Sequence, residues 1–269
     1  MGNKVFTALA EEAAFTSNIL GEGVTQLAKA NYAMRGLYFS SFSSISLGIE
    51  RLGKLCILLD YYISSDGSFP KEEYVRKFGH DLGKLYEMSH NIAKRNDVTF
   101  KHGYPDSDIH MEIMKLLTGF ARGDRYANLN KLMEESYGRD PISEWHHKVD
   151  EPLYDLRVSE RQKEKIRRNA RIIDRLSGSF MMVRHTGEDR AEINSIEDAS
   201  FRAGKSEVVA KYRQLYVVQI IRYWVELLVS LAGIAREKNL DELYIPYFEE
   251  FFVIYRASDA DLLTMNIHR

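Results

Sequence analysis

The sequence predicts an all-α protein, and three observations support that prediction. Only 5 prolines and 17 glycines interrupt the 269 residues, which favours long helices over many short strands. In several long segments, apolar residues recur every three or four positions, the spacing of one face of a helix. No segment shows the sustained alternation of apolar and polar residues that is typical of a half-buried strand.

Composition and charge limit the possible partners. The chain is 45% hydrophobic and 28% charged, which is typical of a folded globular protein. Its net charge is −2, from 37 basic and 39 acidic residues, so attraction to nucleic acid would have to come from a local patch. The single cysteine, Cys56, cannot form an intramolecular disulfide, which indicates a cytoplasmic protein.

One segment, residues 215–235, is long and apolar enough to span a membrane. Gln219, Arg222 and Glu226 lie in its middle, where charged side chains are costly in a bilayer. Arg222 and Glu226 are four residues apart and could pair on one helix face. The segment therefore predicts a buried helix of a soluble protein, and we expect no membrane partner.

The clearest helical segment runs from Ser41 to Ile63. Its apolar residues alternate between spacings of four and three, at Ile45, Ile49, Leu52, Cys56, Leu59 and Ile63. Gly48 and Gly53 lower helix propensity, so we expect close helix contacts there. Before it, residues 3–33 predict a helix that is broken at Gly21 and Gly23.

Further helices are predicted over the rest of the chain, and Ser159 with Gln162 forms a capping-box pattern. These helices are Lys71–Arg95, Asp108–Ala121, Ser159–Leu176, Ser200–Arg236, Asn239–Tyr255 and Asp259–Ile267. We expect a helical bundle over residues 1–140 and a C-terminal helical region over residues 141–269. The second region would be either a separate domain or a further layer on the first.

Several common catalytic motifs are absent from the sequence. It has no phosphate-binding G-x-x-x-x-G-K-[ST], no G-x-G-x-x-G, no G-x-S-x-G and no H-E-x-x-H. A lone cysteine excludes cysteine-rich zinc sites. We therefore expect neither a metal nor a cofactor.

Three short motifs follow one another in the N-terminal half of the chain. They are SLGIERLGKL at 46–55, KFGHDLGKLY at 77–86 and RYANL at 125–129. Their order resembles that of the second helix, the third helix and the R-Y segment of HEPN domains, so residues 35–135 are similar to that superfamily.

The resemblance implies a four-helix bundle that forms a homodimer. It also implies a metal-independent RNA endonuclease of a bacterial or mobile-element defence or toxin system, with an antitoxin or another protein as a possible partner. The alternative is a catalytically inactive HEPN-like module that binds RNA, a nucleotide or a protein.

Catalytic HEPN members carry an Arg, a polar residue and, after four to six intervening positions, a His. Arg95, Asn96 and His102 match this pattern. By resemblance, Arg95 would hold the phosphate and His102 would be the acid/base group, a role that suits a histidine near neutral pH. In the alternative interpretation, Arg95 and Asn96 merely end a helix.

His80 and Asp81 form a second candidate catalytic position, inside the predicted bundle. Their supporting residues would be Glu50, Lys54, Arg125 and Tyr126. The alternatives are a structural histidine, a solvated pair of Glu50 with Lys54, and a helix end in which Tyr126 is buried.

A candidate RNA-binding surface lies between residues 157 and 175, a segment that contains eight basic and three acidic residues. The arginines predicted to share one helix face are Arg157, Arg161, Arg168, Arg171 and Arg175. A basic stripe of this kind can contact a phosphate backbone. The alternative is an ordinary solvated helix face.

Overall fold

The structure is a computed structural model that describes residues 4–133, 139–178, 180–238 and 245–264. About 77% of it is helical, which confirms the all-α prediction. Within the described residues, strands are limited to an antiparallel hairpin of two residues each, β1 (His185–Thr186) and β2 (Glu192–Ile193).

The helices follow the predicted order with shifted ends. The α-helices are α1 (Lys4–Lys29), α2 (Gly36–Ser64), α3 (Glu72–Arg76), α4 (Leu82–Arg95), α5 (Asp108–Arg122), α6 (Ala127–Leu132), α7 (Pro141–Trp145), α8 (Glu151–Arg157), α9 (Glu160–Ser177), α10 (Ile196–Glu237) and α11 (Asp259–Thr264). Short 3-10 helices cover Tyr32–Met34, Asp124–Tyr126, Phe248–Glu250 and Val253–Arg256, and a π-helical turn covers His146–Asp150.

The first helix is continuous, so the predicted break at Gly21 and Gly23 is wrong. Gly23 is buried where α1 packs against α2, and a Cβ there would lie 3.0 Å from the backbone nitrogen of Ile45. The glycine therefore allows two helices to approach closely rather than ending one of them.

The prediction that Gly48 and Gly53 mark close contacts is confirmed. A Cβ on Gly48 would collide with the side chain of Leu20 in α1. A Cβ on Gly53 would lie 3.3 Å from the ring of Trp224 in α10. Both faces of α2 are thus covered, which makes α2 a central helix.

The predicted helix Lys71–Arg95 is divided into α3 and α4. Gly79 has a positive φ of 54°, a conformation that breaks a helix and that glycine adopts without strain. Asp81 then begins α4, because its carboxylate accepts a hydrogen bond from the Lys84 amide at 3.2 Å.

The longest helix, α10, joins the two halves of the chain. It packs against α1, α2, α4, α5, α8 and α9, and the buried core is continuous from Leu9 to Leu262. Of the described helices, α10 is long and apolar enough to cross a membrane, and 67% of its most apolar 18-residue window is buried. Core helices of soluble proteins show the same features.

The fully buried Arg213 of α10 forms a polar contact inside this core. Its guanidinium donates hydrogen bonds of 3.1 Å each to the Tyr38 hydroxyl and to the Asp150 carboxylate. A buried charge requires such partners, so Arg213 fixes α10 against α2 and the π-helical turn.

The predicted helix Asn239–Tyr255 is wrong where the structure describes it. Residues 245–255 form two short 3-10 helices, and Pro246 cannot donate the backbone hydrogen bond that a continuing helix needs. Residues 239–244 lie outside the described residues. The last helix is present as α11, and residues 265–267 of the prediction also lie outside the described part.

Candidate functional site

Arg95 and Asn96 both bind the buried carboxylate of Asp60. The Nε of Arg95 donates to Oδ1 of Asp60 at 3.1 Å, and its Nη2 donates to Oδ2. The side-chain amide of Asn96 donates to the same Oδ1 at 2.9 Å. The guanidinium of Arg95 thus forms a bidentate ion pair with Asp60, which connects the end of α4 to α2.

His102 lies in the loop between α4 and α5 and bonds a glutamate of α10. Its Nδ1 contacts Oε1 of Glu226, and the backbone amide of Lys101 donates to Oε2 of the same carboxylate at 2.8 Å. Because an ionised carboxylate only accepts hydrogen bonds, Nδ1 carries the hydrogen and Nε2 is the nitrogen that can take up a proton.

A cavity of about 300 Å³ opens beside His102. Its polar lining consists of Thr99, Lys101, His102, Glu226, Ser230 and Arg256. Lys101 and Arg256 are exposed, and neither forms an ion pair with any residue that the structure describes. This volume is at the lower end of the range of small-molecule sites, and its two unpaired cations favour an anionic ligand.

Arg95 does not line this cavity, so the structure does not bring Arg95 and His102 together there. Sequence reasoning missed Glu226 and Arg256. Glu226 was expected to pair with Arg222, four residues away, but Arg222 instead donates to Asp259 at 2.6 Å. No spacing signal could have connected residues so distant along the chain.

A second, smaller cavity of about 80 Å³ shares His102 and Glu226 with the first and is also lined by His110, Gln219 and Arg222. His110 Nε2 lies 2.8 Å from the side-chain oxygen of Gln219, and its Nδ1 lies 2.7 Å from the Ser107 hydroxyl. Burial lowers the pKa of His110. His110 is therefore a neutral, hydrogen-bonded neighbour of His102.

The candidate residues inside the bundle partly come together. Glu50 is buried, with Oε2 2.8 Å from Nδ1 of His80 and Oε1 2.6 Å from the Lys54 ammonium. Asp81 does not join them, because it caps α4 and forms an ion pair with Arg122. The Glu50–Lys54 pair is thus present, but Glu50 is buried, so the expectation of a solvated pair is wrong.

Arg125 and Tyr126 lie in the short 3-10 helix after α5. The guanidinium of Arg125 lies 5.1 Å from the centre of the Tyr126 ring. Tyr126 is 49% exposed, so its expected burial is wrong. The ring is covered in part by its neighbour rather than by the core.

The basic stripe is divided between two helices, which corrects the prediction of one face. Arg157 ends α8, and the extended backbone at Val158 separates it from α9. The other four arginines, Arg161, Arg168, Arg171 and Arg175, are exposed on α9. Ile166 and Ala170 are buried on the opposite side of that helix, and the expected side-chain cap by Ser159 is not formed.

Arg157 connects this stripe to the smaller cavity. Its Nη2 donates to the Tyr216 hydroxyl at 2.8 Å. The Tyr216 ring in turn lies 4.7 Å, centre to centre, from the ring of His110. One cationic side chain, Arg157 at the end of α8, is therefore linked through Tyr216 to His110, which lines the smaller cavity.

Two further observations concern other chemistries. Cys56 is buried in the core, and burial raises the pKa of its thiol well above the usual value. The described residues contain no group of three or more His, Cys, Asp or Glu side chains that could hold a metal ion. Comparison of the chain with protein-family models, with curated proteins and with solved structures finds no match.

Proposed function

We propose that the protein is a HEPN-like, metal-independent RNA endonuclease in which His102 is the catalytic acid/base residue. The observation that carries the proposal is the bond between Nδ1 of His102 and Glu226 at the edge of a cavity that Lys101 and Arg256 also line, two cations with no ionic partner in the described part of the chain. A carboxylate that holds one ring nitrogen fixes the tautomer and the orientation of the other.

The reaction is an internal transesterification of RNA. Nε2 of His102 takes the proton of a ribose 2′-hydroxyl, the 2′-oxygen forms a bond to phosphorus, and the bond from phosphorus to the 5′-oxygen breaks. Water supplies the proton to the leaving 5′-oxygen. The products are a 2′,3′-cyclic phosphate and a 5′-hydroxyl end.

Lys101 and Arg256 take the phosphate-binding role in this proposal. Both line the cavity and have no ionic partner among the described residues. Cations at that position offset the charge that develops on the phosphate oxygens. Arg95, whose guanidinium binds Asp60, is instead a positioning residue that holds the start of the loop carrying His102.

The HEPN-like bundle rests on the resemblance of residues 35–135, and the packing of α2, α4 and α5 against one another supports it. The proposed setting is a cytoplasmic defence or toxin system, with a homodimer and an antitoxin or other protein partner. RNA would approach along Arg157 and Arg161, since Arg157 is linked through Tyr216 to His110 in the smaller cavity, which also borders His102.

The second candidate function is an inactive module that binds RNA, a nucleotide or a protein. The occupied guanidinium of Arg95 favours it, because the family pattern would use that arginine on the phosphate. The two candidates differ in one measurable property, cleavage that depends on His102.

The deciding experiment is cleavage of total RNA and transfer RNA in the presence of EDTA. We expect His102→Ala to lower the rate by at least about 100-fold, the usual contribution of a general acid/base. His147→Ala, at an exposed histidine outside both cavities, is the matched control. No cleavage by the folded wild-type protein, together with an RNA mobility shift, would favour the inactive module.

A further inference from the structure

The last turns of α9 and the chain just after this helix expose several large apolar side chains. Ile172, Ile173, Leu176, Phe180, Met181 and Met182 are between 44% and 101% exposed. We call this group the α9 tip. Single exposed apolar residues are common on protein surfaces, but six within eleven positions form a patch that indicates an interaction.

Arginines surround the α9 tip. Ile172 follows Arg168 by four residues and precedes Arg175 by three, so all three share one face of the helix. Arg168 and Arg175 form no ion pair with any residue in the described part of the chain. Arg184 has a side chain that is 89% exposed, and its contact to Glu192 is 3.5 Å long, which is a weak surface pair.

The α9 tip is not needed to complete the core. Ile166 and Ala170, earlier in α9, are buried where this helix packs against α10. The apolar side chains of the tip therefore face solvent although their helix is already anchored. Phe180 at 87% and Met182 at 101% exposed form a projection rather than a groove.

We propose that the α9 tip is a peripheral docking surface for an anionic membrane. Apolar side chains that enter the interface, together with arginines that contact anionic headgroups, are the two components of such binding. This proposal revises the expectation of no membrane partner. It does not involve membrane crossing, since the apolar part of α10 remains in the core.

Charge and shape favour this occupant over the alternatives. A two-fold contact between the tips of two copies would place Arg168 and Arg175 of both copies in one interface, where they would repel. RNA would use the arginines but has no need of exposed Ile, Leu and Met, and Phe180 is the single aromatic side chain of the tip. The interfacial region of a lipid bilayer is deformable, so protruding apolar side chains can insert into it.

The test is sedimentation of the full chain with phosphatidylcholine vesicles that contain or lack phosphatidylglycerol. We expect binding to the anionic vesicles that weakens with added salt. The double variant Phe180→Ser with Met182→Ser should lower the partition coefficient at least about tenfold, because two apolar side chains no longer enter the interface. Leu156→Ser is the matched control, since Leu156 is 65% exposed on α8, outside the tip.

A second readout uses Phe180→Trp. Its fluorescence should shift to the blue with anionic vesicles and remain unchanged with neutral ones. No vesicle binding by the wild-type protein, equal binding by the double variant, or no blue shift would each overturn the proposal. If the double variant instead loses RNA binding or self-association, the tip serves RNA or a second copy. None of these outcomes depends on cleavage by His102.

Discussion

Two histidines of the protein bond a glutamate through Nδ1, but their surroundings differ. His102 and Glu226 are 20% and 14% exposed, and the adjoining cavity contains two cations that pair with no residue the structure describes. His80 is 66% exposed, and its partner Glu50 also binds Lys54. A histidine–carboxylate pair therefore suggests catalysis only where the pair is largely buried and where nearby cationic side chains can still bind a substrate.

Alanine variants of the two histidines give the largest expected difference. His102→Ala should lower RNA cleavage at least about 100-fold, whereas His80→Ala should change it less than about twofold. Initial rates in EDTA measure both. If His80→Ala alone abolishes cleavage, the catalytic site contains His80 and Glu50 rather than His102 and Glu226.

Replacing the glutamate of each pair tests whether its carboxylate contributes to cleavage. Glu226→Gln should reduce the rate roughly 10–100-fold, because the neutral amide no longer fixes the ring of His102 as the carboxylate does. Glu50→Gln should leave the rate nearly unchanged. Equal losses in the two variants would show that Glu226 acts through overall stability, which a urea titration of both proteins would reveal.

Lys101 and Arg256, which have no ionic partner among the described residues, should contribute by binding the substrate. Lys101→Ala and Arg256→Ala should each lower cleavage about tenfold and reduce the dependence of RNA affinity on salt concentration. Arg76→Ala is the control, since Arg76 is an exposed arginine of α3 paired with Glu72. An unchanged salt dependence in both cavity variants would contradict their contact with the phosphate.

Asp60→Asn tests whether the loop that carries His102 is anchored from α2. Asp60 is buried while Arg95 is half-exposed, so we expect a loss of about 1–2 kcal/mol in the free energy of unfolding. Urea denaturation measures it. Glu72→Gln, in an exposed pair, should cost less than about 0.5 kcal/mol. If Asp60→Asn and Glu72→Gln lower the free energy of unfolding by similarly small amounts, Asp60 does not anchor the loop that carries His102.

A third histidine–glutamate pair, His146 with Glu151, affects stability only in acid. The hydrogen bond from His146, together with Lys205 and against the effect of burial, lowers the pKa of Glu151 from 4.5 to about 2. A lowered carboxylate pKa stabilises the fold above pH 4.5, and this contribution is lost as the pH falls toward 2. Glu151→Gln should weaken this acid dependence of the urea midpoint, and an identical pH profile would contradict it.

The sequence predicted those features that depend on neighbours along one helix. The all-α class, the apolar stripe of α2, the close contacts at Gly48 and Gly53, and the Glu50–Lys54 pair follow from helical spacing. The break at Gly79 was missed because the apolar pattern continues on both sides of it.

The cavity beside His102 could not be predicted in the same way. His102 and Glu226 are 124 residues apart, and only the packing of α10 brings them together. The position of Arg256 depends on the packing of the 3-10 helix Val253–Arg256 against α10, and no local pattern encodes that contact. The acid/base candidate was therefore accessible from sequence, whereas its partner and the cations were not.

Because α10 is continuous, it also fixes the distance between two glutamates that lie on it. Glu197, at the start of α10, contacts Arg171 beside the tip of α9, and Glu226 holds His102 further along the same helix. At 1.5 Å per residue, the 29 steps between these two glutamates span about 44 Å. The continuous helix therefore separates the α9 tip, the proposed docking surface, from His102, the proposed acid/base residue, by a distance of this order.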